Sequence, residues 1–226
     1  MTLSLAGRTA APATQPVPTR RGGFGGVEGL IEYLRAAHID RLIDATHPYA
    51  ARISVNAVRA ARQARTPLLA IRRPPWTAVP GDRWTEVDDA AHAVEALGAG
   101  NRRGVFLALG RQDLEAFTRA PQHRYLIRSI DPVEPPLSLP DAHYMLARAP
   151  FVETSDRELL RSNAIDVVVA KNSGGAATYS KIAAARSLGI EVVMIRRPQV
   201  PESPVVETVE EAVAWLDHQL GLDRGV

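Results

Sequence analysis

The sequence predicts an α/β protein of two Rossmann-like halves, each a parallel sheet with helices on both faces. Three observations predict it. Short apolar runs alternate with stretches of helical periodicity along most of the chain, as strands joined through helices do. A strand–turn–helix–strand plan over residues 39–74 recurs over 165–198; both copies open Ile-Asp, carry Ala-Ala-Arg late in the helix and close Ile-Arg-Arg-Pro. Each copy also bears polar residues where the first strand meets the helix, and parallel sheets place ligands at those carboxyl ends.

Taken in order, residues 1–5 read as a short strand ending at Ala6-Gly7-Arg8-Thr9. A Pro/Ala/Thr-rich loop then runs to Thr19. Residues 20–26, Arg-Arg-Gly-Gly-Phe-Gly-Gly, lead into a helix with Val27, Leu30, Ile31 and Leu34 on its buried face. The first repeat follows: strand 41–45, helix 50–64, strand 67–72. Pro74-Pro75-Trp76 breaks that strand. A helix over 88–97 buries Ala91, Val94 and Leu97, and residues 105–109 form a buried strand ending at Gly110-Arg111-Gln112-Asp113. The helix 114–119 comes next. The stretch 121–150 alternates short strands with prolines, and the domain boundary is expected between about Ala120 and Pro136. That gives an N-terminal half 1–120 and a C-terminal half 121–226. The second half repeats helix (156–162), strand (167–170), helix (178–188) and strand (192–195), with Val209, Ala212, Val213 and Leu216 marking a last helix.

The totals narrow the function classes. With 226 residues, 46% apolar and 23% charged, the chain has an ordinary globular composition. It has no cysteine, so disulfides and thiolate metal sites are excluded. No apolar run approaches the roughly 20 residues of a membrane-spanning helix, no secretion signal opens the chain, and a cytoplasmic enzyme is the expectation. The net charge is +2, and every basic residue except Lys171 and Lys181 is arginine. Acids are interspersed with them, so neither nucleic acid nor membrane is an expected partner. The six histidines lack metal-ligand spacing, and no metal is expected.

The candidate sites are the strand-end turns. Gly22 to Gly26 enter a helix N-terminus, which reads either as an anion-binding turn or as a flexible loop; Glu28 stands where a dinucleotide fingerprint would have its third glycine. Arg8 sits where a cation would meet the 2′-phosphate of NADP. His47 lies between Thr46 and Pro48 at a strand end, with Tyr49 following. Lys171-Asn172-Ser173-Gly174-Gly175 is the matching turn of the second copy, where glycines permit close backbone approach and Lys171 brings charge. Tyr179 and Lys181 are two apart and are not a Tyr-x-x-x-Lys pair.

Leu5-Ala6-Gly7-Arg8-Thr9, Gly22-Gly23-Phe24-Gly25-Gly26, Asp44-Ala45-Thr46-His47-Pro48-Tyr49, Arg73-Pro74-Pro75-Trp76 and Lys171-Asn172-Ser173-Gly174-Gly175 with Tyr179-Ser180-Lys181 together resemble the precorrin-6A reductases of cobalamin biosynthesis. The resemblance implies an NADPH-dependent reduction of one ring double bond of precorrin-6A to precorrin-6B, or of the cobalt-containing analogue. It implies cofactor binding by Ala6, Gly7, Arg8, Thr9, Gly23, Phe24, Gly25, Gly26, Thr46, His47 and Pro48. Substrate binding falls to Lys171, Asn172, Ser173, Gly174, Gly175, Tyr179 and Lys181, and His47, Tyr49 and Lys171 are the catalytic candidates. Hand-over of the tetrapyrrole to neighbouring pathway enzymes is a further expectation. The family pattern also opens with a strand and helix carrying a Gly-Gly-Thr turn, whereas this sequence opens at the second strand of that order. The competing reading is a non-catalytic nucleotide- or tetrapyrrole-binding α/β module.

Overall fold

The computed structural model describes residues 1–7 and 14–223. In chain order its first elements are β1 (Leu3–Leu5), β2 (Thr19–Arg21), α1 (Gly26–Ala36), β3 (Leu42–Asp44), α2 (Ala51–Ala64) and β4 (Leu68–Ile71). Then come β5 (Trp84–Val87), α3 (Ala90–Leu97), β6 (Gly104–Ala108), α4 (Arg111–Leu114), β7 (Arg124–Ser129) and β8 (Ala142–Leu146). The chain finishes with α5 (Glu153–Ser162), β9 (Val167–Lys171), α6 (Ser180–Leu188), β10 (Glu191–Ile195), β11 (Val205–Val206) and α7 (Val209–Asp223). The expected α/β class holds: every strand pairing among the described residues is parallel.

The chain forms two compact units, Met1–Arg73 with Pro198–Val226, and Pro74–Arg197. This differs from the division at residue 120, and the reason is hydrogen bonding. β6 and β7 flank that position and are neighbours in one sheet, with Gly104 opposite Arg124 and Leu107 opposite Ile127. The true crossings are the two Ile-Arg-Arg-Pro copies. After β4 the chain leaves the first unit at Arg73-Pro74, and its next strand, β5, pairs with β10. After β10 it returns at Arg197-Pro198, and its next strand, β11, pairs with β4. A proline at each crossing ends the strand before it.

The second unit is a six-stranded sheet in the order β5-β10-β9-β6-β7-β8. Its central strand β9 reads Val167-Val168-Val169-Ala170 and is wholly buried, as a strand covered on both faces must be. One face packs Phe106, Leu160, Val168, Ile182 and Met194 together. Alanines at 184 and 185 let α6 lie close to the sheet. Within this core sits an ion pair: Arg128 donates to Asp156 Oδ1 at 2.6 Å, and Ser180 donates to Asp156 Oδ2 at 2.5 Å. The Arg128 guanidinium also lies 3.8 Å from the Phe151 ring centroid.

In the first unit, α1 and α2 pack through Leu30, Ile31 and Leu34 against Ala57, Val58, Ala60 and Ala61. Its strands form two separate sheets, β1-β2 and β11-β4-β3. No described strand joins β1 to β3. β2, β5 and β11 are departures from the expected elements. Two to four residues long, they carry too few side chains to print a period on the sequence.

Replacing Asp156 by Ala strands the buried Arg128 charge and is expected to cost about 3–5 kcal/mol, read from urea unfolding of the variant against the parent.

Candidate active site

The glycine turn is built on β1 and β2. Their parallel pairing sets Leu5 beside Arg21, and Gly22 N–H donates to the Leu5 carbonyl at 2.9 Å. Ala6 and Gly7 therefore stand next to Gly22, so two of the expected cofactor segments are brought together. Gly7, Gly22, Gly25 and Gly26 all have positive φ, the conformation glycine adopts without strain. Open space surrounds the positions where side chains at Gly22, Gly23 and Gly25 would stand. The turn is clamped from behind by Arg20, which donates to the carbonyls of Gly22 and Gly23, both at 3.0 Å. Arg20 also stacks 3.8 Å from the Phe24 ring centroid. Phe24 thus packs against Arg20 and Tyr33. Gly29 was not singled out by sequence, yet a side chain there would collide with the Phe24 carbonyl at 1.7 Å. It is the glycine that lets the turn close onto α1. Glu28 lies over the first turn of α1, so capacity for an anion rests on the glycine backbone. Arg8 and Thr9 lie outside the described residues.

The second turn follows β3. Asp44 is buried and accepts hydrogen bonds from Thr46 N at 3.1 Å and Thr46 Oγ1 at 2.7 Å, and it forms an ion pair with Arg72. Arg72 also donates to Ser54 Oγ at 2.9 Å and to the Asp44 carbonyl at 2.9 Å. Burial would push the Asp44 carboxyl up. The hydrogen bonds from Thr46, Arg72 and Ser54, with the Arg72 charge, outweigh it and hold the group below the usual carboxylate range. This network fixes Thr46 and so aims the exposed His47. Tyr49 N–H donates to His47 Nδ1 at 3.3 Å, which leaves Nε2 as the hydrogen-bearing nitrogen of the neutral ring. Pro48 and Tyr49 are half-buried beside it.

The third turn follows β9. Lys171 pairs with Asp113 at 2.5 Å, the two side chains 12% and 19% exposed. Asn172 does not face outward as expected. Its amide is buried and spent on Trp76, accepting from Trp76 N at 2.7 Å and donating to the Trp76 carbonyl at 2.8 Å. The Trp76 indole donates to the Gly175 carbonyl at 2.9 Å. Arg197 donates to the carbonyls of Asn172 at 2.8 Å and Ser173 at 3.1 Å. Gly174 has φ +68°, and a Cβ there would sit 2.1 Å from the Pro74 carbonyl oxygen, so only glycine fits. Tyr179 packs on Trp76 and its hydroxyl accepts from Arg186, which is itself paired with Asp82. Lys181 is 5% exposed, bonded to the Thr178 carbonyl and placed 4.9 Å from the Trp76 ring centroid. Asn172, Tyr179 and Lys181 are therefore all engaged by Trp76. The physical reason is that its bulk needs covering and its polar atoms need partners. Asp113, Trp76, Arg20, Arg72 and Arg197 are the residues sequence reasoning left without roles; except for Arg20, whose partners are Gly22, Gly23 and Phe24, their partners lie far along the chain.

Paired crossings, parallel sheets and shaped turns at the strand ends define an α/β protein of the two-domain Rossmann type. Comparison with known proteins gives the family. The model of the family "Precorrin-6x reductase CbiJ/CobK" matches residues 1–217. A precorrin-6A reductase of Sinorhizobium sp is 56% identical over 218 residues, covering 96% of this chain and 83% of that protein. One of Rhodobacter capsulatus is 53% identical over 99% of this chain and 88% of its own. A cobalt-precorrin-6A reductase of Priestia megaterium is 29% identical over 85% and 78%. A solved structure titled CobK precorrin-6A reductase superposes with a TM-score of 0.90 at 53% identity, covering 96% of this chain and 86% of that one. The chain belongs to the precorrin-6x reductase family.

Burial, with the nearby Arg128 charge, pushes Lys181 down from 10.5 to about 7 against the opposing pull of Asp156. Between those values the unfolded chain binds the extra proton, so stability rises as pH goes from about 7 to 10.5 and is flat below. Urea unfolding across that window is expected to show the rise, and Lys181→Met to abolish it.

Proposed function

We propose that this chain reduces one ring double bond of precorrin-6A to precorrin-6B with NADPH. The observation that carries this is the match along nearly the whole chain, at 53–56% identity, to proteins named for that reaction. The metal-free substrate is favoured over its cobalt analogue because the cobalt-named relative stands far lower, at 29%.

The open glycine turn, with positive φ at Gly22, Gly25 and Gly26, supports the cofactor reading. Gly7 and Gly22 to Gly26 would hold the phosphates, Arg8 and Thr9 the 2′-phosphate, and Thr46, His47 and Pro48 the nicotinamide end. When bound, the cofactor supplies a hydride to one carbon of the double bond. The adjacent carbon needs a proton, and Lys171 holds one at Nζ. Ser173, Gly174 and Gly175 are assigned to the substrate, while Asn172, Tyr179 and Lys181 keep the turn in shape through Trp76. His47 and Tyr49 would position the nicotinamide rather than deliver the proton. The Asp44–Arg72 network keeps their turn in place without a ligand, so little ordering is needed on binding.

Two measurements test the reading. A fluorescence titration should show NADPH bound in preference to NADH, and Arg8→Ala should erase a preference of about 10–100-fold, the scale of one charge-assisted hydrogen bond. Equal affinity for both cofactors removes Arg8 from its role. In turnover assays with precorrin-6A, Lys171→Gln should lower kcat by on the order of 10²–10⁴-fold. A protein that binds NADPH yet never oxidises it in the presence of precorrin-6A is a binding module instead.

A further inference from the structure

We propose that Asp113 is a positioning residue for the reduction, holding the Lys171 ammonium in the direction from which it delivers its proton; this rests on the reading of Lys171 as the acid. β6 and β9 are paired neighbours, with Ala108 opposite Ala170, so both strands run out at the same edge of the sheet. Lys171 is the last residue of β9, and Asp113 lies in the short helix just past the end of β6. Asp113 N–H donates to the Gly110 carbonyl at 2.9 Å, a turn that folds the carboxylate back over the strand ends. The carboxylate then meets Lys171 Nζ at 2.5 Å, with both side chains mostly but not wholly covered.

Charge arithmetic separates positioning from anchoring. The pair is neutral as a whole, so it draws a substrate carboxylate much less strongly than a lone ammonium would. What the carboxylate gives Lys171 is direction. A long, flexible side chain otherwise spends most of its time in the wrong rotamer, and a misdirected acid slows the chemical step without changing substrate affinity. The other lysine, Lys181, is buried beneath Trp76 and cannot substitute.

The test is steady-state kinetics of the full chain with NADPH and precorrin-6A, using Asp113→Asn, Asp113→Glu, Lys171→Gln and the double variant Asp113→Asn/Lys171→Gln. Asp113→Asn should lower kcat at least about tenfold with the precorrin KM within about threefold, the pattern of an interaction needed only in the transition state. Asp113→Glu, which keeps the charge, should recover most of the loss. In the Lys171→Gln background, Asp113→Asn should change kcat by less than about twofold, because two residues that act as a unit do not add. A kcat for Asp113→Asn equal to wild type, equal losses for Asn and Glu, a KM effect alone, or multiplying losses would each overturn the proposal. An inactive Lys171→Gln beside a fully active Asp113→Asn removes the positioning role and leaves the acid. A Lys171→Gln of wild-type kcat removes the acid and the positioning with it.

Discussion

Carbonyl oxygens at the ends of parallel strands need donors, and in this protein arginine supplies them. Three strand-end turns are held this way. Arg20 takes the carbonyls of Gly22 and Gly23, Arg72 those of Asp44 and, at 3.5 Å, Thr46, and Arg197 those of Asn172 and Ser173. Arg72 and Arg197 come from the two Ile-Arg-Arg-Pro copies, each reaching across to the turn that follows the neighbouring strand. A guanidinium suits the task because its planar fork can serve two acceptors at once and stays charged. The same use recurs away from the turns, where Arg124 donates to the carbonyls of Asn163 and Ala164 and Arg83 to that of Gly189. Part of the arginine-rich composition is therefore an internal scaffold.

Trp76 does for the second unit what Arg72 does for the first. It enters directly after the crossing prolines and is gripped by Asn172, Gly175, Tyr179 and Lys181. Every polar atom of the turn that it uses is an atom the turn would otherwise have to satisfy with water. The buried cluster of Arg128, Asp156, Ser180 and Lys181 extends this order into the core. Lys181 is the member with no carboxylate of its own, because Asp156 is committed to Arg128 and Ser180. That imbalance is why burial depresses it.

The elements legible in the sequence were those with enough residues to show a period. α2, predicted over 50–64, runs Ala51–Ala64, and the repeat of strand, helix and strand is real in both copies. The short strands and the domain division were not legible, because β5 and β11 pair with strands more than a hundred residues away in sequence. The site divides in the same way. The turns at Thr46–Tyr49 and Lys171–Gly175 were found from their odd composition at strand ends, and the strands do place them there. How the side chains in them are held depends on Arg72, Trp76 and Asp113, whose partners are fixed only by folding. Nothing in one dimension shows that Asn172 and Lys181 are buried against Trp76.

The two crossings at proline also set an order of assembly. Residues 74–197 are continuous and carry all six strands of their sheet, so that unit has everything it needs once β10 has been made. The other unit begins at Met1 but lacks its β11 partner for β4 until residues 205 and 206 emerge. During synthesis from the N-terminus, the unit started first is thus the unit completed last, and β4 waits with an open edge while its neighbour folds. A ribosome that stopped at Arg197 would release one unit with its sheet complete and one without β11, which makes Pro198–Val226 the closing piece of the unit that holds β4.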